Sequence, residues 1–184
     1  MQKMNPEDGR VVGDDAPLPP KKEGSTDEED EALFEDEPFV VPPFRADNGV
    51  NISLGTNVFI NCNCIMIDTC RVTIGSRVLI APNVSFYSGT HPLDPDLRNG
   101  TKGPEGGKEI TIGDDCWIGG NVTICPGVHI GKGSTVGAGS VVTKDVAEYS
   151  VVVGNPARFL RPAPRKTVSA EERQKIYDIA MTPS

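Results

Sequence analysis

Residues 112–147 read IGDDCW IGGNVT ICPGVH IGKGST VGAGSV VTKDVA when broken into sixes. Each six opens on a β-branched residue: Ile112, Ile118, Ile124, Ile130, Val136 and Val142. The next position is usually small, as in Gly113, Gly119, Gly131 and Gly137. The fifth is compact: Cys116, Val122, Val128, Ser134, Ser140 and Val146. A period of six matches neither the roughly 3.6 of a helix nor the alternation of a simple strand. It fits a triangular solenoid in which each six is one flat side with its turn, and three sides close a coil of about 18 residues. The aliphatic residue points into the prism, and the small residue after it lets the chain turn a tight corner. Stacked coils pair as parallel strands about 4.8 Å apart. Each coil buries its core only against its neighbours. The predicted fold is all-β: a left-handed parallel β-helix of hexapeptide repeats, with an inserted loop and a short C-terminal helix.

Working outward, Ile74, Ile80 and Phe86 keep the spacing, as do Leu54, Ile60 and Met66. This register predicts coils at 54–71, 74–91, 112–129 and 130–147. Val72 and Thr73 interrupt the first pair, and residues 92–111 interrupt the second. The long loop leaves after His91 and rejoins at Ile112. A loop of that length inside a compact solenoid is usually functional. Upstream, Phe39 to Phe44 reads as an apolar lead-in with two prolines. Downstream, Tyr149 to Arg158 reads as a strand leading to a turn. Ser169-Ala-Glu-Glu172 is a capping box that opens a short helix to about Ala180.

Charge divides the chain into the same parts. Net charge is −8 overall, yet residues 1–37 carry 13 acidic and 4 basic side chains. The acidity therefore belongs to the tail. So dense a like charge with so little apolar surface does not offset chain entropy, which predicts disorder there. The organisation is an acidic tail over 1–37, the β-helix over 38–166, and a helix and tail over 167–184. No basic run of nucleic-acid type occurs, so DNA and RNA are not expected partners. No apolar run of about 20 residues occurs either, which argues against a membrane span. Five cysteines, an odd count, with no apolar leader fit a reduced, cytoplasmic setting. Cys62, Cys64, Cys70, Cys116 and Cys125 form no CxxC pair and read as small wall-fillers, so no metal is expected.

The chemistry concentrates at the loop. His91 stands where the loop leaves the wall, and a neutral imidazole can take a proton from a hydroxyl at about pH 7. His129 falls in the same corner column one coil higher and reads as an exposed turn residue. Trp117, the only tryptophan, closes a side of coil three and offers a stacking face. This register puts His91, the loop and Trp117 near one end of one groove.

Several strings carry a resemblance. They are Asn51-Ile52-x-Leu54-Gly55, Asn61-x-Asn63-x-x-x-x-Asp68, Thr90-His91-Pro92, Asp96-x-Arg98, Ile112-Gly-Asp-Asp-x-Trp117-Ile-Gly-Gly120, Gly137-Ala-Gly-Ser-Val-Val-Thr-Lys-Asp145 and Gly154-Asn-Pro-Ala-Arg158. Over about 120 of its 184 residues the chain resembles the maltose, galactoside and nodulation-type O-acetyltransferases of the hexapeptide family. The resemblance implies acetyl-CoA as co-substrate and a sugar-like hydroxyl acceptor, and the flat faces of the three-sided prism predict a homotrimer with sites between subunits. It implies His91 as general base, with Asn61, Asp68 and Arg98 on the acceptor. It implies a CoA groove of Trp117, Gly119, Gly120, Ala138, Thr143, Lys144, Arg158 and Arg161, with the Gly120 N–H facing the thioester oxygen. Family members carry a helical N-terminal module, for which residues 1–37 show no matching helices.

Two other readings compete. A zinc hydratase on the same solenoid needs three histidine ligands per metal, whereas this chain has two histidines. A non-catalytic scaffold that trimerises and binds partners through its tail gives no reason for Asn61, Asp68 and His91 to occur together.

Overall fold

The computed structural model describes residues 36–164, together with β1 (Lys3–Met4) and β2 (Val11–Val12), which pair antiparallel. The predicted helix over 169–180 lies outside the described residues, as does most of the acidic tail. No helix among the described residues is long and apolar enough to cross a membrane.

The chain winds as a left-handed parallel β-helix with three faces. The first face stacks β3 (Phe39–Val40), β6 (Phe59–Ile60), β9 (Leu79–Ile80), β14 (Trp117–Ile118), β17 (Thr135–Val136) and β19 (Ser150–Val153). An antiparallel strand, β20 (Arg158–Pro162), closes it. The second face holds β4 (Phe44–Ala46), β7 (Cys64–Ile67), β10 (Ser85–Tyr87), β15 (Thr123–Ile124) and β18 (Val141–Val142). The third holds β5 (Ile52–Leu54), β8 (Val72–Ile74), β13 (Ile110–Ile112) and β16 (His129–Ile130).

The repeat starts fill the prism. Ile60, Ile80, Ile118 and Val136 form one inward column; Met66, Phe86, Ile124 and Val142 the second; Ile74, Ile112 and Ile130 the third. All are buried. The compact fifth positions, Val84, Cys116, Val122 and Ser134 among them, are buried as well. Cys64 and Cys116 are thus wall-fillers, and no described cysteine is in a disulfide.

Two of the three corners turn through left-handed residues stacked in columns. Asn63, Asn83, Asn121 and Gly139 follow the first face, with φ between 58° and 71°. Asn57, Arg77, Asp115 and Gly133 precede it, with φ between 52° and 67°. Asn and Gly adopt this region at little cost. Arg77 does not, but its guanidinium reaches both oxygens of Asp115, at 2.6 and 3.1 Å, one coil above.

The third corner differs from the sequence expectation. Ladder partners lie 20 residues apart in the first coils (Phe39↔Phe59, Phe59↔Leu79) and 18 apart after the loop (Trp117↔Thr135). The excess sits between the second and third faces, at Asp68 to Arg71, and not at Val72 and Thr73, which lie within a strand. The same widening over 47–51 hid a full coil. Phe39 to Phe44 is no lead-in: Val40 pairs with Ile60 and Phe44 with Cys64. The long loop leaves from this corner too. It departs after Ser88 and is back in the wall by Ile110, whose N–H donates to the Arg71 carbonyl at 3.0 Å, so it spans 89–109 and not 92–111. One consequence concerns the histidines. Thr111, not His91, lies beneath His129 in the ladder, so the two imidazoles share no column.

Candidate active site

His91 is carried on an arm. β11 (Gly89–Thr90) and β12 (Gly106–Gly107) pair antiparallel to make a two-residue neck, with Gly89 opposite Gly107. Neither glycine has room for a side chain. A Cβ on Gly89 would lie 2.6 Å from Thr69 Oγ1, and one on Gly107 would collide with the Ser88 carbonyl and meet Cys70 Sγ at 2.7 Å. Beyond the neck, His91 is exposed. The arm then folds on itself. Asp94 caps the short helix α1 (Pro95–Arg98) by accepting from the Asp96 N–H at 2.9 Å. Arg98 donates to the carbonyls of Pro92 and Leu93 at 3.3 and 3.4 Å, which ties its guanidinium to the two residues that follow His91. Leu93 and Leu97 are 94% and 63% exposed, so the arm carries apolar surface that its own chain leaves uncovered.

The corner below the arm is polar and closed. Asp68 is 0% exposed, and its carboxylate oxygens accept the N–H groups of Asn48 (2.8 Å) and Asn51 (3.1 Å). The Asn51 side chain returns a bond to the Asp68 carbonyl at 2.9 Å. Ser88, also 0% exposed, accepts the Cys70 N–H at 2.8 Å, and its hydroxyl donates to the Ile67 carbonyl at 2.8 Å. These brackets were not foreseen from the hexapeptide register. Their signal is a spacing of 20, since Asn48, Asp68 and Ser88 hold the same place in successive coils.

The other predicted residues lie elsewhere on the prism. Trp117 is 55% exposed on the outer surface of the first face, between Leu79 and Thr135. The corner after that face stacks Asn61, Ala81, Gly119 and Gly137. A Cβ on Gly119 would stand 2.6 Å from the Ala138 backbone nitrogen, so glycine is what lets these coils meet. The N–H of Gly120 has no acceptor among the described residues. Asn61 is half-buried, and its side-chain oxygen accepts the Cys62 N–H at 2.8 Å, which leaves its amide NH2 for other partners. Ala138, Thr143, Lys144, Arg158 and Arg161 are all exposed. Lys144 and Arg158 also border a cavity of about 390 Å³ at the C-terminal end of the prism.

The faces fix how these groups relate. In a triangular section the wide corner is the vertex opposite the first face. His91 therefore springs from the side of the prism away from Trp117, and the expectation that one chain joins them in a single groove does not hold. Six-residue counting located both residues along the axis but not around it.

Three of the five thiols are poor nucleophile candidates. Burial pushes the Cys64, Cys116 and Cys125 thiols up, away from the reactive thiolate. Among the described residues no group of three or more His, Cys, Asp or Glu side chains could hold a metal ion.

Comparison with known proteins places this geometry in a family. A model of the hexapeptide repeat of succinyl-transferase matches residues 109–144. A Saccharomyces cerevisiae protein classed among the acetyltransferases is 43% identical over 74% of this chain and 68% of its own length. A hexapeptide-repeat acetyltransferase of Vibrio cholerae, solved with acetyl-CoA, is 42% identical, covers 77% of this chain and 81% of its own, and has a TM-score of 0.67. A maltose O-acetyltransferase of Clostridium difficile is 44% identical over 75% of each chain, also with a TM-score of 0.67. Sequence shared at this level on a shared solenoid makes this chain an acyltransferase that belongs to the hexapeptide-repeat acetyltransferases.

Proposed function

We propose that the protein transfers the acetyl group of acetyl-CoA to a hydroxyl of a sugar or sugar-like molecule, at a site built between neighbouring subunits of a homotrimer. One observation carries the reading. In one chain the arm that carries His91 leaves from the vertex opposite the Trp117 face, whereas a cyclic arrangement can set the arm of one copy against the first face of the next. The exposed Leu93 and Leu97 on the arm, and the exposed Leu79 and Trp117 on the face, supply the two apolar surfaces such a contact needs.

In that site His91 removes the acceptor proton while the oxygen attacks the thioester carbon. The Gly120 N–H, which has no acceptor of its own among the described residues, faces the developing oxyanion. As the C–S bond breaks, the proton on His91 passes to the CoA sulfur. Asn61 and Arg98 hold the acceptor. Trp117, Gly119 and Ala138 line the pantetheine path, and Thr143, Lys144, Arg158 and Arg161 meet the phosphates. No covalent acetyl-enzyme is needed, because among the described residues no cysteine or serine hydrogen-bonds to His91 as a paired nucleophile. Five cysteines outside disulfides fit a reducing, cytoplasmic setting.

Mixed trimers test the shared site. His91→Ala and Trp117→Ala chains, each of low activity alone, are refolded together in equal amounts. If each site takes His91 from one subunit and Trp117 from the next, random assembly restores about a quarter of wild-type sites. If both residues belong to one chain, mixing restores nothing.

A further inference from the structure

We propose that Asp68 and Ser88 are positioning residues for His91, and that Asp68 acts from behind the corner and not on the acceptor. The inference rests on His91 being the general base. It starts from burial. A carboxylate at 0% exposure, each oxygen accepting a backbone N–H from Asn48 or Asn51, presents no oxygen at the surface to a substrate hydroxyl. It does stiffen the corner on which the next coil sits. Residues 68–71 rest on 48–51 through Asp68, and the take-off of the arm rests on 68–71 through Ser88.

Ser88 is the junction. Its side chain is locked into the corner below by the Cys70 N–H and the Ile67 carbonyl, while its backbone carbonyl accepts the returning strand at Lys108 N, 2.9 Å away. Three residues later comes His91. The Gly89–Gly107 pair lets the neck lie close against the corner, since a side chain at Gly89 would meet Thr69 and one at Gly107 would meet Cys70 and the Ser88 carbonyl. Among the described residues no hydrogen bond or ion pair of its own chain holds the exposed imidazole, so within the chain its placement is inherited from this bracket. A misplacement of about 1 Å in a reacting group costs on the order of 100-fold in rate.

The test compares Asp68→Asn and Ser88→Ala, each alone and combined with His91→Ala. Asp68→Asn keeps the shape but turns an NH2 donor toward an N–H. The assay is thiol release from acetyl-CoA with maltose as acceptor. Amide hydrogen exchange is followed in parallel. We expect each single variant to lower kcat about 10- to 100-fold while KM for maltose and for acetyl-CoA stays within about twofold. In the His91→Ala background neither should cost anything more, because the group they position is gone. Exchange should quicken at 86–91 and 106–110 in Ser88→Ala, and at 47–52 in Asp68→Asn, with strands 135–142 still protected. A raised KM for maltose with unchanged kcat in Asp68→Asn would return that residue to the acceptor and overturn the inference. So would losses that multiply fully with His91→Ala, or a neck as protected as in the wild type. If His91→Ala itself costs nothing, it is the general-base reading that fails, and the exchange pattern still decides whether the bracket holds the arm.

Discussion

Replacing His91 by alanine is expected to lower kcat by about 100- to 10,000-fold, the usual contribution of a general base. Affinity for CoA should stay near wild type, because the groove proposed for CoA uses Trp117, the Gly119–Gly120 corner and the basic C-terminal end, and not His91. Neither the second histidine nor the buried thiols are placed to take over. His129 sits on the wall above Thr111, its backbone N–H bound to Asp145 at 2.8 Å, and not on the arm. Cys64 and Cys116 are buried with their thiols pushed up. Steady-state kinetics with calorimetric CoA titration check the outcome. Retention of more than about a tenth of wild-type kcat would mean the proton leaves by another route.

Phe86→Ala is expected to destabilise the chain by about 3–5 kcal/mol. Phe86 is among the largest fully buried side chains, set between Met66 and Ile124 in the ladder of the second face. A prism with walls one strand thick has no second layer to collapse into the space. The coils also stabilise each other as neighbours, so a hole at this level weakens both the coils below the arm and those above. Denaturant titration with the m-value checked for two-state behaviour measures it. A loss under about 1 kcal/mol would show that the core column does not carry the stacking.

The solenoid is legible in the sequence because its core is one-dimensional. Ile112, Ile118 and Ile124 each occupy the same place in successive sides, so a simple count recovers the inward columns. The same count fails where the chain is allowed to be wide. From Ala46 to Leu54 and from Met66 to Ile74 the step is eight residues, held open by Asp68 and its partners. A six-residue rule reads such a step as an interruption, so it missed the coil that begins at Phe39. The same rule placed the loop's exit three residues late. His91 stood out because a long loop announces itself by breaking the period. Its relation to Trp117 did not, because the vertex from which a loop springs is known only once the faces are assigned. Residues that act through others, as Ser88 does, carry no motif; a buried polar hydroxyl is recognised only from the bonds it makes.

Product formation by the wild-type protein tests the central claim most directly. The protein is incubated with acetyl-CoA and a panel of sugars that includes maltose, while free thiol is titrated and the sugar analysed by mass spectrometry. Acetyl transfer to a hydroxyl predicts one thiol released for each O-acetyl ester formed, and both lost together in His91→Ala. Tight binding of acetyl-CoA with no ester on any hydroxyl acceptor would contradict it and leave a non-catalytic scaffold in its place.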